Sequence, residues 1–266
     1  MNAMPDPIYT SDNCTPAYQL RWSLALFALV DLPPSSAWHK QLADAVEKDG
    51  VRLLEYQYRP PNSHLFLVST TPSVRPQDIV KSVKGRLQHE LQPEIPKAFR
   101  RHFSLGSLGN VRREVIERYV ADQLGHHRMA DESVQGLLRE FQLTFPEVDL
   151  SKPQRSTHGR YVYNLHLALV HGERWCEVRR DRLETTRDMI LKVARAKEHR
   201  LSRVSLFSDH LHLTLGCGYE ESPEAVSLGY LNNVAFAHGM MELFSRGYYA
   251  GTFGEYDMGV IWRERS

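Results

Sequence analysis

The chain is poor in cysteine, has no long apolar run, and its charges nearly cancel. Its three cysteines, Cys14, Cys176 and Cys217, are widely separated and form no CxxC pair. That excludes a disulfide framework or a thiolate metal ribbon and suits a reducing cytoplasm, where the protein is expected to reside. The one strongly apolar run, Leu24 to Val30, is far short of the roughly 20 residues that span a bilayer. No basic segment precedes it, so it reads as a buried strand and no membrane partner is expected. A net charge of +1 and a pI near 7.8 exclude a uniformly basic nucleic-acid coat, so any basic surface must be local. The 266 residues, 42% hydrophobic, are enough for one large or two small cores.

What the chain does have is an internal echo. Tyr18-Gln-Leu-Arg-Trp-Ser-Leu-Ala-Leu-Phe27 is answered by Tyr161-Val-Tyr-Asn-Leu-His-Leu-Ala-Leu-Val170, both β-rich. Each opens the same series: a helical stretch (Ser36 to Val46; Thr185 to Lys197), two strands joined by a turn (Arg52–Tyr58 into Asn62–Val68; Leu201–Phe207 into His210–Leu215) and a second helix (Arg75 to Leu91; Pro223 to Met240). A glycine-punctuated strand closes each, Phe103 to Gly109 and Tyr248 to Gly254. The order β-α-β-β-α-β is that of a ferredoxin-like unit, an antiparallel sheet with helices on one face. The expected fold is therefore α+β, two tandem ferredoxin-like units arranged as a single-chain pseudo-dimer. The boundaries expected are a loosely ordered tail over 1–17, a first unit over 18–124, a connector over 125–157 and a second unit over 158–266. The first unit carries one extra helix, Arg112 to Leu124, which the second lacks.

Two patterns carry chemistry. In Asp209-His210-Leu211-His212-Leu213 the two imidazoles share one face of a strand, because side chains at i and i+2 point the same way. In the extra helix Tyr119 and Gln123 stand one turn apart and share a face. Asp209 reads as a turn residue and His166 as a packed strand histidine. Tyr248, Tyr249 and Tyr256 read as core or stacking residues, and the His126-His127 pair lacks converging partners.

A His-hydrophobic-His strand, a helix with Lys84-Gly85-Arg86, a glycine-rich strand and then a helix with Tyr-x-x-x-Gln together resemble the single-tyrosine HUH transposases of bacterial insertion sequences. These are the IS200-like transposases, with the REP-associated tyrosine transposases as close kin. The resemblance implies a nuclease and strand transferase for single-stranded DNA, often beside a hairpin. The tyrosine would attack a phosphodiester and leave a 5′-phosphotyrosine and a free 3′-hydroxyl. It implies Tyr119 as nucleophile and a divalent ion, Mg2+ or Mn2+, held by His210 and His212 with Gln123 as third ligand. In the first unit the corresponding positions read Asn62-Ser-His64, a degenerate site. Family members pair the tyrosine helix of one subunit with the histidines of another, so one composite site is expected, made by Tyr119 and Gln123 of the first unit and His210 and His212 of the second. A monomer then suffices. DNA contacts are expected at Lys81, Lys84 and Arg86 and at Arg112 and Arg113, beside Arg100 and Arg101. Two other readings stay open: a nucleic-acid-binding protein without catalysis, and a metal-dependent phosphodiesterase that uses water.

Overall fold

The computed structural model describes residues 6–109, 115–120, 132–172 and 176–254. The first unit runs through β1 (Thr15–Gln19), β2 (Arg21–Ala28), α1 (His39–Glu47), β3 (Val51–Arg59), β4 (Ser63–Thr70), α2 (Pro76–Leu91) and β5 (Phe99–Leu108). Residues 115–120 are helical. Between the units lie α3 (Glu132–Arg139), β6 (Gln142–Thr144) and β7 (Gln154–Arg155). The second unit runs through β8 (Gly159–Val162), β9 (Asn164–His171), α4 (Arg180–Ala196), β10 (Arg200–Leu206), β11 (His210–Gly216), α5 (Pro223–Ala237) and β12 (Phe244–Thr252).

The strands form two six-stranded sheets, ordered β3-β4-β2-β5-β8-β7 and β6-β10-β11-β9-β12-β1. The runs β3-β4-β2-β5 and β10-β11-β9-β12 follow the same permutation, the ferredoxin-like one, and a helix pair packs on one face of each. Alternation explains which face. Trp22, Leu24, Leu26, Phe66 and Val68 turn toward Leu42, Val46, Ile79, Val83 and Leu87 of the first helix pair, and all are buried. In the second unit the odd-numbered leucines 165 to 169 and 211 to 215 turn toward Leu183, Ile190, Val226, Tyr230 and Val234. At about 1.5–3 kcal/mol per large buried side chain, these stripes are the main force holding each helix pair to its sheet. Pro76 and Pro223 occupy first-turn positions that need no N–H, and the Ser222 hydroxyl caps α5 by accepting from the Ala225 N–H at 3.1 Å.

Three boundaries differ from the sequence reading. Each opening strand is broken once, at Leu20 and at Tyr163, and its first half crosses to the other unit. There β1 pairs parallel with β12 (Tyr18 opposite Ala250), and β8 pairs parallel with β5 (Tyr161 opposite Leu105). The rings of Trp22 and Tyr163 meet at the crossing, 5.1 Å apart. The N-terminal tail is also tied down from Tyr9 onward. Tyr9 is buried, its hydroxyl donates to the Phe244 carbonyl at 2.8 Å, and Asn232 bonds its N–H and its carbonyl. The connector is part of the fold too, since β6 edges one sheet against β10 and β7 edges the other against β8. Prolines and polar residues signalled loops in these segments. Long-range pairing supplied partners that local pattern does not reveal.

Candidate active site

Each sheet has a second face, away from its helix pair. In the second unit β11 turns Leu211, Leu213 and Leu215 to the core, so His210 and His212 stand on the opposite face. Their rings are 5.0 Å apart and nearly perpendicular. Phe207 stacks on His210 at 4.6 Å, and the Asp209 carboxylate accepts from His210 Nδ1 at 2.6 Å.

Over this face lies the helical turn 115–120 from the end of the first unit. Val120 is fully buried, and its carbonyl accepts from the Ser205 hydroxyl at 3.2 Å. Ser205 is the ladder partner of His212, so this bond fixes the turn above the histidines. Tyr119, one residue earlier, puts its ring 6.1 Å from that of His212 and 6.4 Å from that of His166, both edge-on, and keeps 49% exposure. The structure thus brings Tyr119 to the face that carries His210 and His212. Gln123, Arg112, Arg113 and the His126-His127 pair lie outside the described residues.

His166 belongs to this cluster. Its Nε2 is hydrogen bonded to His212 Nδ1 at 2.9 Å, and burial pushes its pKa down to about 4, so it is neutral near pH 7. Tyr249 flanks it at 5.6 Å. That approach depends on Gly251, the ladder partner of His166, because a Cβ there would lie 2.4 Å from the Tyr249 hydroxyl. Leucines at 165, 167 and 169 already put His166 on the face opposite the core; strand alternation carried that signal, while contact with His212 needed the register between β9 and β11. Asp209, on the turn before β11, is hydrogen bonded to His210 as well.

The donor chemistry fits a divalent cation. Two imidazoles 5.0 Å apart can share an ion bound at about 2.1 Å from each nitrogen. Both have Nδ1 engaged by a neighbour, the arrangement that orients a ligating histidine. Among the described residues no group of three His, Cys, Asp or Glu forms a closed metal cage.

The first unit corrects the expected degenerate site. His64 lies on the helix-covered face with Phe66 and Val68. It is buried, hydrogen bonded to the Tyr56 hydroxyl at 2.8 Å and set edge-on to Phe99. Burial lowers its pKa. On the open face, Phe27 pairs with Ser63 and Ala25 with Leu65, as Val170 pairs with His210 and Ala168 with His212. Ser63 and Leu65, rather than Asn62 and His64, therefore correspond to the histidine pair. The shift arose because the turn before β4 is one residue out of step with that before β11.

The expected DNA-contacting cations of α2 are engaged within the chain. Arg86 binds Asp49 through two nitrogens (2.7 and 2.8 Å), Lys84 donates to the carbonyls of Arg100 and Arg101 (2.5 and 3.0 Å), and Lys81 stands 3.5 Å from Asp78. Burial lowers the pKa of Lys84.

A phenol thus stands beside a histidine pair on the open face of a ferredoxin-like sheet. Residues 34–123 match the family model of the IS200-like transposases. No curated protein matches the chain. Among solved structures, a REP-associated tyrosine transposase bound to a REP hairpin is similar at 11% identity, with a TM-score of 0.31. The match covers 35% of this chain and 57% of that one. No described helix is long and apolar enough to cross a membrane.

Proposed function

We propose that this protein cleaves and rejoins single-stranded DNA by transesterification, with Tyr119 as nucleophile and His210 and His212, joined by Gln123, as ligands of a Mg2+ or Mn2+ ion. The observation that supports this reading is the Tyr119 ring of the first unit standing 6.1 Å from the His212 ring of the second. One chain then carries the two halves that a dimer of single units would supply, which is also the reason to read the two units as a tandem duplication acting as a monomer.

The chain's own groups divide the work. Tyr119 is half exposed, so a strand reaches it from solvent without opening the fold. Its oxygen attacks the phosphorus, the bond to the 3′-oxygen breaks, and the phenol's proton balances the 3′-hydroxyl that leaves. One phosphodiester is exchanged for another, so joining is the same step reversed. A divalent ion at the histidines supplies charge neutralisation at the scissile phosphate and makes the phenol easier to ionise. Asp209 keeps His210 oriented, and the Ser205–Val120 bond keeps the nucleophile's turn over the sheet.

The test uses end-labelled single-stranded oligonucleotides with hairpins, Mn2+ or Mg2+, and denaturing gels. A protein–DNA adduct that is absent in Tyr119→Phe is the expected result. Cleavage without an adduct, unchanged in Tyr119→Phe, would replace the reading with a water-using phosphodiesterase. Hairpin binding with neither cleavage nor adduct would leave a binding protein.

A further inference from the structure

Resting on that reading of the site, we propose that His166 is a positioning residue. Its Nε2 accepts the Nδ1 proton of His212 and so fixes His212 in the tautomer whose Nε2 carries the lone pair.

The bond between the two rings is 2.9 Å long, and the rings are nearly parallel with centroids 5.1 Å apart. Both side chains are buried, so the bond is shielded from competing water. Two neutral imidazoles can share one proton in only two ways. If His166 donates, the His212 lone pair is used at Nδ1, within the sheet. If His212 donates, its lone pair is at Nε2. His210 shows the second arrangement: its Nδ1 faces the Asp209 carboxylate at 2.6 Å, and an ionised carboxylate only accepts. Nδ1 of each ring is engaged by a neighbour, so each ring can ligate an ion only through Nε2, and that requires the tautomer with the proton on Nδ1. Two different acceptors, a carboxylate on the turn and an imidazole on the next strand, impose it on neighbouring rings.

His166 is itself held. Tyr249 packs edge-on at 5.6 Å from the next strand, over the space that Gly251 leaves. In the first unit, Leu65 stands at the position of His212, and Ser23 stands at that of His166, two residues ahead of Ala25 as His166 is ahead of Ala168. The unit without the ligand lacks its orienting partner as well.

The experiment is long-range proton–nitrogen correlation NMR of the imidazoles in metal-free, nitrogen-15-labelled protein, followed by Mn2+ titration read by electron paramagnetic resonance. Expected for the wild type is His212 protonated at Nδ1. His166→Leu removes the acceptor, mixes the His212 tautomers and weakens Mn2+ binding by about 10–100-fold. His166→Gln, which keeps an acceptor at the same reach, restores both. His212 protonated at Nε2 in the wild type, or a Leu variant with unchanged tautomer and Mn2+ affinity, would overturn the proposal, and the wild-type spectrum alone decides it if the Leu variant does not fold. A wild type with the expected tautomer that binds no Mn2+ would instead overturn the transesterase reading and leave the His166–His212 assignment standing.

Discussion

The backbone N–H of Arg21 donates to the hydroxyl of Thr252 at 2.8 Å, and that hydroxyl donates onward to the Leu108 carbonyl at 2.6 Å. The other half repeats the pattern: the Asn164 N–H donates to Ser107 Oγ at 2.9 Å, and Ser107 donates to the Phe253 carbonyl at 2.9 Å. Both hydroxyls are buried beside the points where the opening strands change sheets. Gly254 lets the chains come this close, since a Cβ there would sit 2.2 Å from the Ser107 carbonyl oxygen. Thr252→Val, which keeps the shape and removes the hydroxyl, leaves a buried N–H unpaired. It is expected to cost about 1–3 kcal/mol, and Ser107→Ala a similar amount, read by urea unfolding. Because the strands are exchanged, one cooperative transition is expected for both units in each variant. Two separate transitions would show that the units fold independently.

This cross-brace also marks how far the sequence could be read. The echo of Tyr18–Phe27 in Tyr161–Val170 revealed two units of one kind, and the alternation in His210-Leu-His-Leu put both imidazoles on one face. These are local patterns with a fixed period. The break at Leu20 and Tyr163 was hidden, because a strand reads the same whichever sheet accepts it. Register was hidden for the same reason. His64 looked like a remnant of the histidine motif by spacing, but one residue of slip puts it among Phe66, Tyr56 and Phe99. Tyr119 could be paired with the second-unit histidines only by family resemblance, since nothing in its own helix specifies the surface it covers.

Asp209 is expected to matter through its bond to His210. Asp209→Ala removes the acceptor 2.6 Å from Nδ1 and should weaken Mn2+ binding by about 10–100-fold, with Asp209→Asn, whose amide oxygen still accepts, milder. Mn2+ titration of the three proteins checks the ranking. Equal affinities would show that the carboxylate is an ordinary turn residue.

Acid stability should depend on a different carboxylate. Asp49 joins the end of α1 to α2, accepting from Arg86 and from the Ser82 hydroxyl, and its pKa falls from 3.8 to about 2, chiefly through Arg86 and then Ser82. A carboxylate whose folded pKa is depressed contributes stability that is fully present above the unfolded value and is lost as pH falls through the folded one. The window is therefore about pH 4 down to pH 2. With the side chain 33% exposed, solvent screening reduces the nominal effect to about 1 kcal/mol. Asp49→Asn should be less stable than wild type at pH 7 by that amount, and the gap should close toward pH 2. A gap that is the same at both pH values would show that the loss comes from packing, with no contribution from ionisation.

Lys81 and Lys84 share one helix and are expected to behave differently toward DNA. Lys84 is half-buried, with its ammonium on the carbonyls of Arg100 and Arg101, which ties α2 to the start of β5. Lys84→Met should destabilise the fold by about 1–3 kcal/mol and leave the salt dependence of hairpin binding unchanged. The Lys81 side chain is 69% exposed, and its 3.5 Å pair with Asp78 is of the surface kind that contributes little. Lys81→Ala should keep the melting temperature and, if α2 touches the phosphate backbone, reduce the slope of log affinity against log salt by about 1. Fluorescence anisotropy of a labelled hairpin across salt concentrations reads the slope, and thermal unfolding reads the stability. An unchanged slope in Lys81→Ala would remove α2 from the DNA-binding surface, since its other cations are already held by Asp49 and by the β5 backbone.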